Sequence, residues 1–249
     1  MLRHPENTNL HIHTGDLFEG LPIMFDKGPF VTEYLAALKR TIDNALNQYP
    51  RGLAFRIDLR LPVGIVLPDY AYTNQVMSRF IESFKAKIEH NRLKVREQNK
   101  YAHDCRVRYV WAREVGWEGR PHYHLLILLN RDAFYTVGRL QSVSPNMISR
   151  MQEAWASALK CEVEQVRGLV HIPPNAEYRV DRDFRPGNVD QLPDCFIEPA
   201  TFAKLRRSVM GRALMDSDAA GGRGGYVANS HAGGSQMTVS PPWIKVMAF

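Results

Sequence analysis

Apolar residues recur at helical spacing in the first part of the chain. Tyr34, Leu35, Leu38, Ile42 and Leu46 fall on one stripe and predict a helix over Thr32 to Asn47, with Thr32 as its N-cap. After the Pro50-Arg51-Gly52 break the period changes to two: Phe55, Ile57, Leu59 and Leu61 alternate with Arg56, Asp58 and Arg60, the pattern of a half-buried strand that Pro62 ends. Val76, Phe80, Ile81, Phe84, Ile88 and Leu93 then form a stripe through Tyr72 to Asn99, the longest predicted helix, with Lys85, Lys87, Arg92, Lys94 and Arg96 around it. Two strands, Arg106 to Glu114 and His122 to Leu129, flank a turn rich in glycine and proline, so they should pair antiparallel. A third helix is expected from Ser144-Pro145 to Lys160, and a further strand from Val166 to Ile172 before Pro173-Pro174. Helices and strands interleave, which predicts an α+β fold with a central antiparallel sheet flanked by helices.

Residues 1–30 mix polar residues, glycine and proline without periodicity and read as a loosely ordered lead-in; the main domain is expected over 31–196. With 249 residues, 45% hydrophobic and 23% charged, the chain can bury one substantial core. A formal charge of +6 and a pI near 9.3 favour a polyanionic partner such as nucleic acid. Cys105, Cys161 and Cys195 are far apart and odd in number, so they indicate neither a disulfide framework nor a cysteine zinc site. No signal-peptide pattern opens the chain and no apolar run approaches the roughly 18 residues that span a bilayer, so a cytoplasmic protein without a membrane partner is expected.

The segment Pro121-His122-Tyr123-His124-Leu125 carries the candidate chemistry. In a strand, His122 and His124 share a face while Tyr123 points away, which suits two nitrogen ligands of one divalent metal. Glu114, closing the preceding strand, is the first choice for a third ligand, and Glu118 in the turn is the runner-up. Mixed oxygen and nitrogen ligands suit manganese or magnesium, with zinc as another option. The competing reading makes both histidines partly buried, hydrogen-bonded side chains. A second pair, His11-Ile12-His13, lies in the lead-in with no acid-bearing strand before it, and is read as unrelated to metal. Lys85 and Arg92 on the long helix, and Arg113 and Arg120 beside the histidines, are candidate DNA-phosphate contacts; the alternative for the helix is an ordinary solvated face.

Three segments in this order, Arg56-Ile57-Asp58-Leu59-Arg60, Arg113-Glu114 and His122-Tyr123-His124-Leu125 leading to Leu128-Leu129-Asn130, resemble the inovirus gene-II-like replication proteins and their prophage relatives with a YagK/YfjJ-type domain. The resemblance covers roughly residues 33 to 196. Those proteins look like members of the HUH endonuclease superfamily, in which a metal held by the two histidines polarises a DNA phosphate and a helix-borne tyrosine attacks it. The resemblance therefore implies a rolling-circle replication initiator of a filamentous phage or prophage, nicking and joining single-stranded DNA at an origin in a bacterial host. Its implied cofactor is a divalent metal, with no small-molecule cofactor. Tyr123 is not the nucleophile, since it faces away from the histidines.

The chain departs from the family where the nucleophile belongs. The family carries an Asp-x-Phe-Tyr-Arg-Ala-Ser-Tyr segment, whereas this chain reads Asp194-Cys195-Phe196-Ile197-Glu198-Pro199-Ala200-Thr201. Read from the third base of the Phe196 codon, permitted codons for Phe196 to Thr201 encode Tyr-Arg-Ala-Ser-Tyr. A one-thymine difference in a short T run accounts for this, and makes residues 197–249 an out-of-frame tail without the family's final catalytic helix and with no reason to fold. The tail's glycine-rich composition also fits a genuine alternative ending, a flexible linker to a partner. The chain as it stands lacks the expected catalytic tyrosine, and Tyr178 is the nearest substitute. The readings from other classes are a non-catalytic DNA-binding or regulatory protein of a mobile element and a phosphoesterase unrelated to DNA. Sequencing the gene across the Phe196 codon separates the two endings: a T run differing by one base restores the tyrosine motif, and an unchanged run means that the polypeptide lacks it.

Overall fold

The alternating segment after Pro50 becomes a ten-residue strand, Arg51–Arg60, buried from residue 52 to residue 59. Both of its faces are covered, not one as the alternation suggested, because helices lie on each side of the sheet it belongs to. The computed structural model describes residues 2–5, 7–23, 29–115, 119–138, 145–173, 176–182 and 245–248. In chain order its elements are β1 (Ile12–His13), β2 (Leu17–Phe18), β3 (Leu21–Pro22), β4 (Phe30–Val31), α1 (Thr32–Gln48), β5 (Arg51–Arg60), a 3-10 turn (Asp69–Tyr72), α2 (Gln75–Gln98), β6 (Arg108–Val115), β7 (Pro121–Asn130), α3 (Met147–Leu159), α4 (Val163–Val166), β8 (Val170–His171), β9 (Glu177–Asp181) and β10 (Lys245–Ala248).

The main sheet is antiparallel, in the order β10-β6-β7-β5-β8, with β9 pairing the other end of β5. The fold is therefore mixed α+β, with an antiparallel sheet flanked by helices. On one side Ala54, Val110, Ala112, Leu126 and Leu128 pack against Leu35, Leu38 and Ile42 of α1. On the other, Phe55, Ile57, Leu125 and Ile127 pack against Phe80 and Phe84 of α2 and Met151 and Trp155 of α3. Trp155 meets Phe80 and Tyr123 edge-on, with ring centroids 5.8 Å and 6.1 Å away, and its indole N–H donates to the Arg60 carbonyl at 2.8 Å. Gly119, at φ +72°, turns the chain between β6 and β7 in a conformation that glycine adopts without a steric penalty.

Several sequence expectations shift. Thr32 is the first residue of α1 and not its cap: the extended residue before the helix is Val31, because β4 runs straight into it. Helix α3 starts at Met147, where the Asn146 side chain accepts from the Ser149 N–H at 3.0 Å and the Ser149 hydroxyl accepts from the Asn146 N–H at 3.0 Å, a reciprocal cap. The strand expected over Val166 to Ile172 shrinks to β8, since Val166 ends α4 and Gly168 turns the chain at φ +81°. Strand β9 escaped the reading because its polar residues show no alternation.

The described lead-in residues form two short antiparallel pairings, β1 with β4 and β2 with β3, and contribute Ile12, Phe18 and Ile23 to the buried set. Two-residue strands are too short for alternation to reveal. Residues 183–244 lie outside the described residues, and with them the composition break near Cys195 and most of the expected tail. Four residues of that tail, expected to lack structure, form β10 against β6. The opposite side of β6 is paired with β7, so its remaining backbone groups are available to any extended segment. Among the described residues no helix is long and apolar enough to cross a membrane.

Replacing Trp155 by Ala removes the wedge between α2 and β7 and leaves the Arg60 carbonyl without its donor. Urea unfolding should show a loss of about 4 kcal/mol, and Trp155→Phe a smaller one.

Candidate metal centre

Strand register alone assembles the cluster. β7 lies between β6 and β5, with His122 directly opposite Glu114 on one side and Arg60 on the other. His124 is opposite Ala112 and Asp58 in the same way, and β8 places His171 opposite Asp58. Directly paired residues share a face. Glu114, His122, His124, Asp58 and His171 therefore all stand on the α1 side, while Tyr123 is buried on the other side, its hydroxyl donating to the Thr73 carbonyl at 3.2 Å. Burial pushes the Tyr123 hydroxyl up to about 12, against the pull of Arg113.

His124 is the hub. Its Nδ1 lies 2.7 Å from Asp58 Oδ1 and its Nε2 lies 3.1 Å from Glu114 Oε2. The Arg56 guanidinium donates from Nε and Nη2 to the two Asp58 oxygens, each at 3.0 Å, and its Nη2 stands 3.2 Å from His124 Nδ1. His171 Nδ1 approaches Asp58 from the sheet edge at 3.8 Å. The four central residues are almost sealed from solvent: Arg56 is 3% exposed, His124 4%, Asp58 5% and Glu114 6%. At the rim His122 is partly buried and Arg60 exposed.

The electrostatics follow from this packing. Burial drives the Asp58 carboxyl up, but the hydrogen bond from His124 and the positive charges of His124 and Arg56 outweigh it and hold it below the usual range. Burial drives His124 down, but its hydrogen bonds to Asp58 and Glu114 outweigh that and raise it. Two carboxylates face one guanidinium here, which favours a further positive charge at His124.

The donor set fits a cation. Two ligand atoms each about 2.1 Å from one ion lie about 3 Å apart, and His124 Nε2 and Glu114 Oε2 are 3.1 Å apart. Asp58 on Nδ1 would then hold the imidazole in the tautomer that presents Nε2, the usual carboxylate support of a ligating histidine. Among the described residues no three His, Cys, Asp or Glu side chains form a ready-made cage. His124 and Glu114 meet, while His122 stands across from Glu114 on the next strand. Glu118 lies outside the described residues.

Asp58, Arg56 and His171 were not singled out from the sequence. The available signal was two opposite charges at alternate positions of a strand whose other side chains are apolar; once both faces are buried, such charges need partners. The lead-in histidines do not converge: His11 Nδ1 engages Glu33 at 2.6 Å, while His13 Nε2 engages the Leu17 carbonyl at 2.9 Å. Tyr178 pairs with Ala54, four residues along β5 from Asp58 and about 13 Å away at strand rise, so it is not brought into the cluster.

The basic residues proposed for DNA are engaged within the fold. Arg92 is buried, donating to the Ala133 carbonyl at 3.0 Å with its guanidinium over the Phe134 ring; its position one turn after Ile88 places it on the buried stripe of α2. Lys85 lies over Tyr109, on the α2 side of the sheet and so away from the cluster. Arg113 donates to the Tyr72 carbonyl at 2.8 Å, and Arg120 donates to the Pro62 carbonyl.

The shifts set the pH dependence of the metal-free protein. Because folding raises His124 above its ordinary 6.5, its contribution is complete below that value and is lost as pH rises through the raised one. Because folding lowers Asp58 below its ordinary 3.8, its contribution is present above that value and is lost as pH falls through the lowered one. Urea unfolding in chelator should show stability declining toward both extremes. His124→Gln should flatten the alkaline decline.

Comparison with known proteins places the chain in a family. The YagK/YfjJ C-terminal domain profile matches residues 13–209. The uncharacterised Escherichia coli K12 protein YagK is 33% identical over 159 residues, covering 62% of this chain and 76% of YagK. The uncharacterised YfjJ of the same strain is 31% identical over 163 residues, covering 62% of this chain and 78% of YfjJ. No solved structure matches. The profile spans most of the chain, from the first paired strand through every helix of the sheet's two covering layers, and the chain belongs to the YagK/YfjJ C-terminal domain family.

Proposed function

We propose that this chain descends from a rolling-circle replication initiator of a filamentous phage or prophage, a metal-dependent protein that nicks and joins single-stranded DNA, and that it retains the metal centre without the tyrosine step. The observation that carries this reading is His124 held through Nδ1 by Asp58 and facing Glu114 through Nε2, with His122 on the same face. His124, Glu114 and His122 would hold manganese or magnesium, which supplies charge neutralisation at a scissile phosphate when bound. Arg56 fixes Asp58, Asp58 fixes the His124 ring, and burial excludes water from those contacts. Arg60, exposed at the rim, is placed to meet the phosphate backbone of an approaching strand.

Covalent chemistry needs a nucleophile that attacks phosphorus and leaves again. Tyr123 faces the other side of the sheet, Tyr178 lies along the strand from the cluster, and the family's tyrosine segment is absent from the sequence. The one-thymine frame-shift account of residues 197–249 belongs to this proposal. A second reading, a non-catalytic DNA-binding or regulatory protein of a mobile element, is favoured by that missing tyrosine.

Titration with Mn2+ followed by electron paramagnetic resonance should show one bound ion in the full chain and none in His124→Ala or His122→Ala. Incubation with Mn2+ and a labelled single-stranded oligonucleotide pool should leave no denaturant-stable DNA adduct. Absence of bound Mn2+ would falsify the metal centre, and accumulation of an adduct would show that another tyrosine serves. Loss of metal in the histidine variants with unchanged DNA affinity marks a former enzyme, whereas unchanged behaviour throughout marks the histidines as hydrogen-bonded structural side chains.

A further inference from the structure

At the other end of β5, and on the other side of the sheet, lies a cavity of about 440 Å³ lined by Arg51, Arg131, Asp132, Ala133, Tyr135 and Arg179. It is remote from His124: Arg51 and Asp58 are seven residues apart on one strand, about 23 Å at strand rise. Strand register again builds it. Arg51 opens β5, Arg131 follows the last residue of β7 and donates its N–H to the Arg51 carbonyl at 3.0 Å, and Arg179 pairs with Leu53 from β9.

Two of the three guanidiniums are fixed by carboxylates. Arg131 is held by both oxygens of Asp181, at 2.8 Å and 3.0 Å, and Arg51 Nη2 lies 2.8 Å from Asp132 Oδ1. Arg179 differs. Its guanidinium lies 4.2 Å from the centroid of the Tyr135 ring, and among the described residues no carboxylate pairs with it. Tyr135 is 62% exposed, so this ring stands in solvent with the Arg179 cation against it. A large aromatic left exposed beside an uncompensated arginine, in a cavity large enough for a small ligand, asks for a partner that is both flat and anionic.

A nucleotide has both properties: its base stacks on an aromatic or guanidinium plane, and its phosphate accepts from arginine. We infer that this cavity is a second contact for single-stranded DNA, with a base on Tyr135 and the adjoining phosphate at Arg179 and the largely exposed Arg51. Asp132 and Asp181 keep the neighbouring guanidiniums oriented and prevent the patch from binding any anion indiscriminately. The inference takes its partner from the proposed DNA function but uses neither the metal nor the histidines, so the two can fail separately.

Fluorescence anisotropy of a labelled oligo(dT), recorded with the full chain in chelator over a range of salt, tests it. Removing a stacked aromatic weakens single-strand binding by about 5- to 150-fold, so Tyr135→Ala should weaken affinity within that range while Tyr135→Phe keeps it. Arg179→Ala should weaken affinity and also lower the slope of log affinity against log salt by about 0.7, the signature of one lost phosphate contact. Tyr135→Ala should leave the slope in place. Wild-type affinity in both Tyr135→Ala and Arg179→Ala, with circular dichroism melts matching the parent, overturns the cavity whatever the metal experiments find. No oligo(dT) binding by the parent chain overturns it too. Binding that depends on Tyr135 in a chain that takes up no Mn2+ supports the cavity and removes only the metal reading.

Discussion

A buried charge imbalance governs this molecule. Asp58 and Glu114 are both sealed on the α1 face of the sheet, and Arg56 supplies only one fixed positive charge between them. Buried charges persist only when they are paired, so the site favours a further positive charge. His124 is where it enters, because its two ring nitrogens lie within hydrogen-bond distance of Asp58 and Glu114. The cation proposed for this site would take the place of the His124 proton, which would make the two competitors for one position. Acidity and cation supply should therefore trade against each other at this site.

The register of three strands creates that situation, and register is what the sequence conceals. The helices α1 and α2 and the β6–β7 hairpin were legible because their apolar stripes and turn residues are local. That His122 and His124 share a face was legible for the same reason. That Asp58 stands beside His124 was not, since the two are 66 residues apart and meet only because β5 pairs with β7 in one register. Alternation on β5 also misled about exposure: it identified two faces correctly but gave no sign that the polar one is buried under α1 and the lead-in. Periodicity reports which residues share a side, not what covers that side.

The basic residues show the converse error. Lys85 and Arg92 both read as surface charge on a helix; Lys85 is exposed as read, whereas the long arginine stem lets Arg92 follow the buried stripe and place its guanidinium on a backbone carbonyl. The arginines with an accessible arrangement, Arg51 and Arg179, sit on strands that no charge run marks. Strands gathered from distant parts of the chain make a patch that only the assembled sheet possesses.

Arg60 closes β5 with its backbone carbonyl pinned by the Trp155 indole on one side of the sheet, while its side chain stands at the rim of the histidine cluster on the other. The helical layer thus reaches through the sheet to the residue that borders the candidate chemistry. A lesion in α3, on the face of the sheet opposite the histidine cluster, would loosen the mouth of that cluster without replacing any of its side chains. It would be mistaken for damage to the cluster itself.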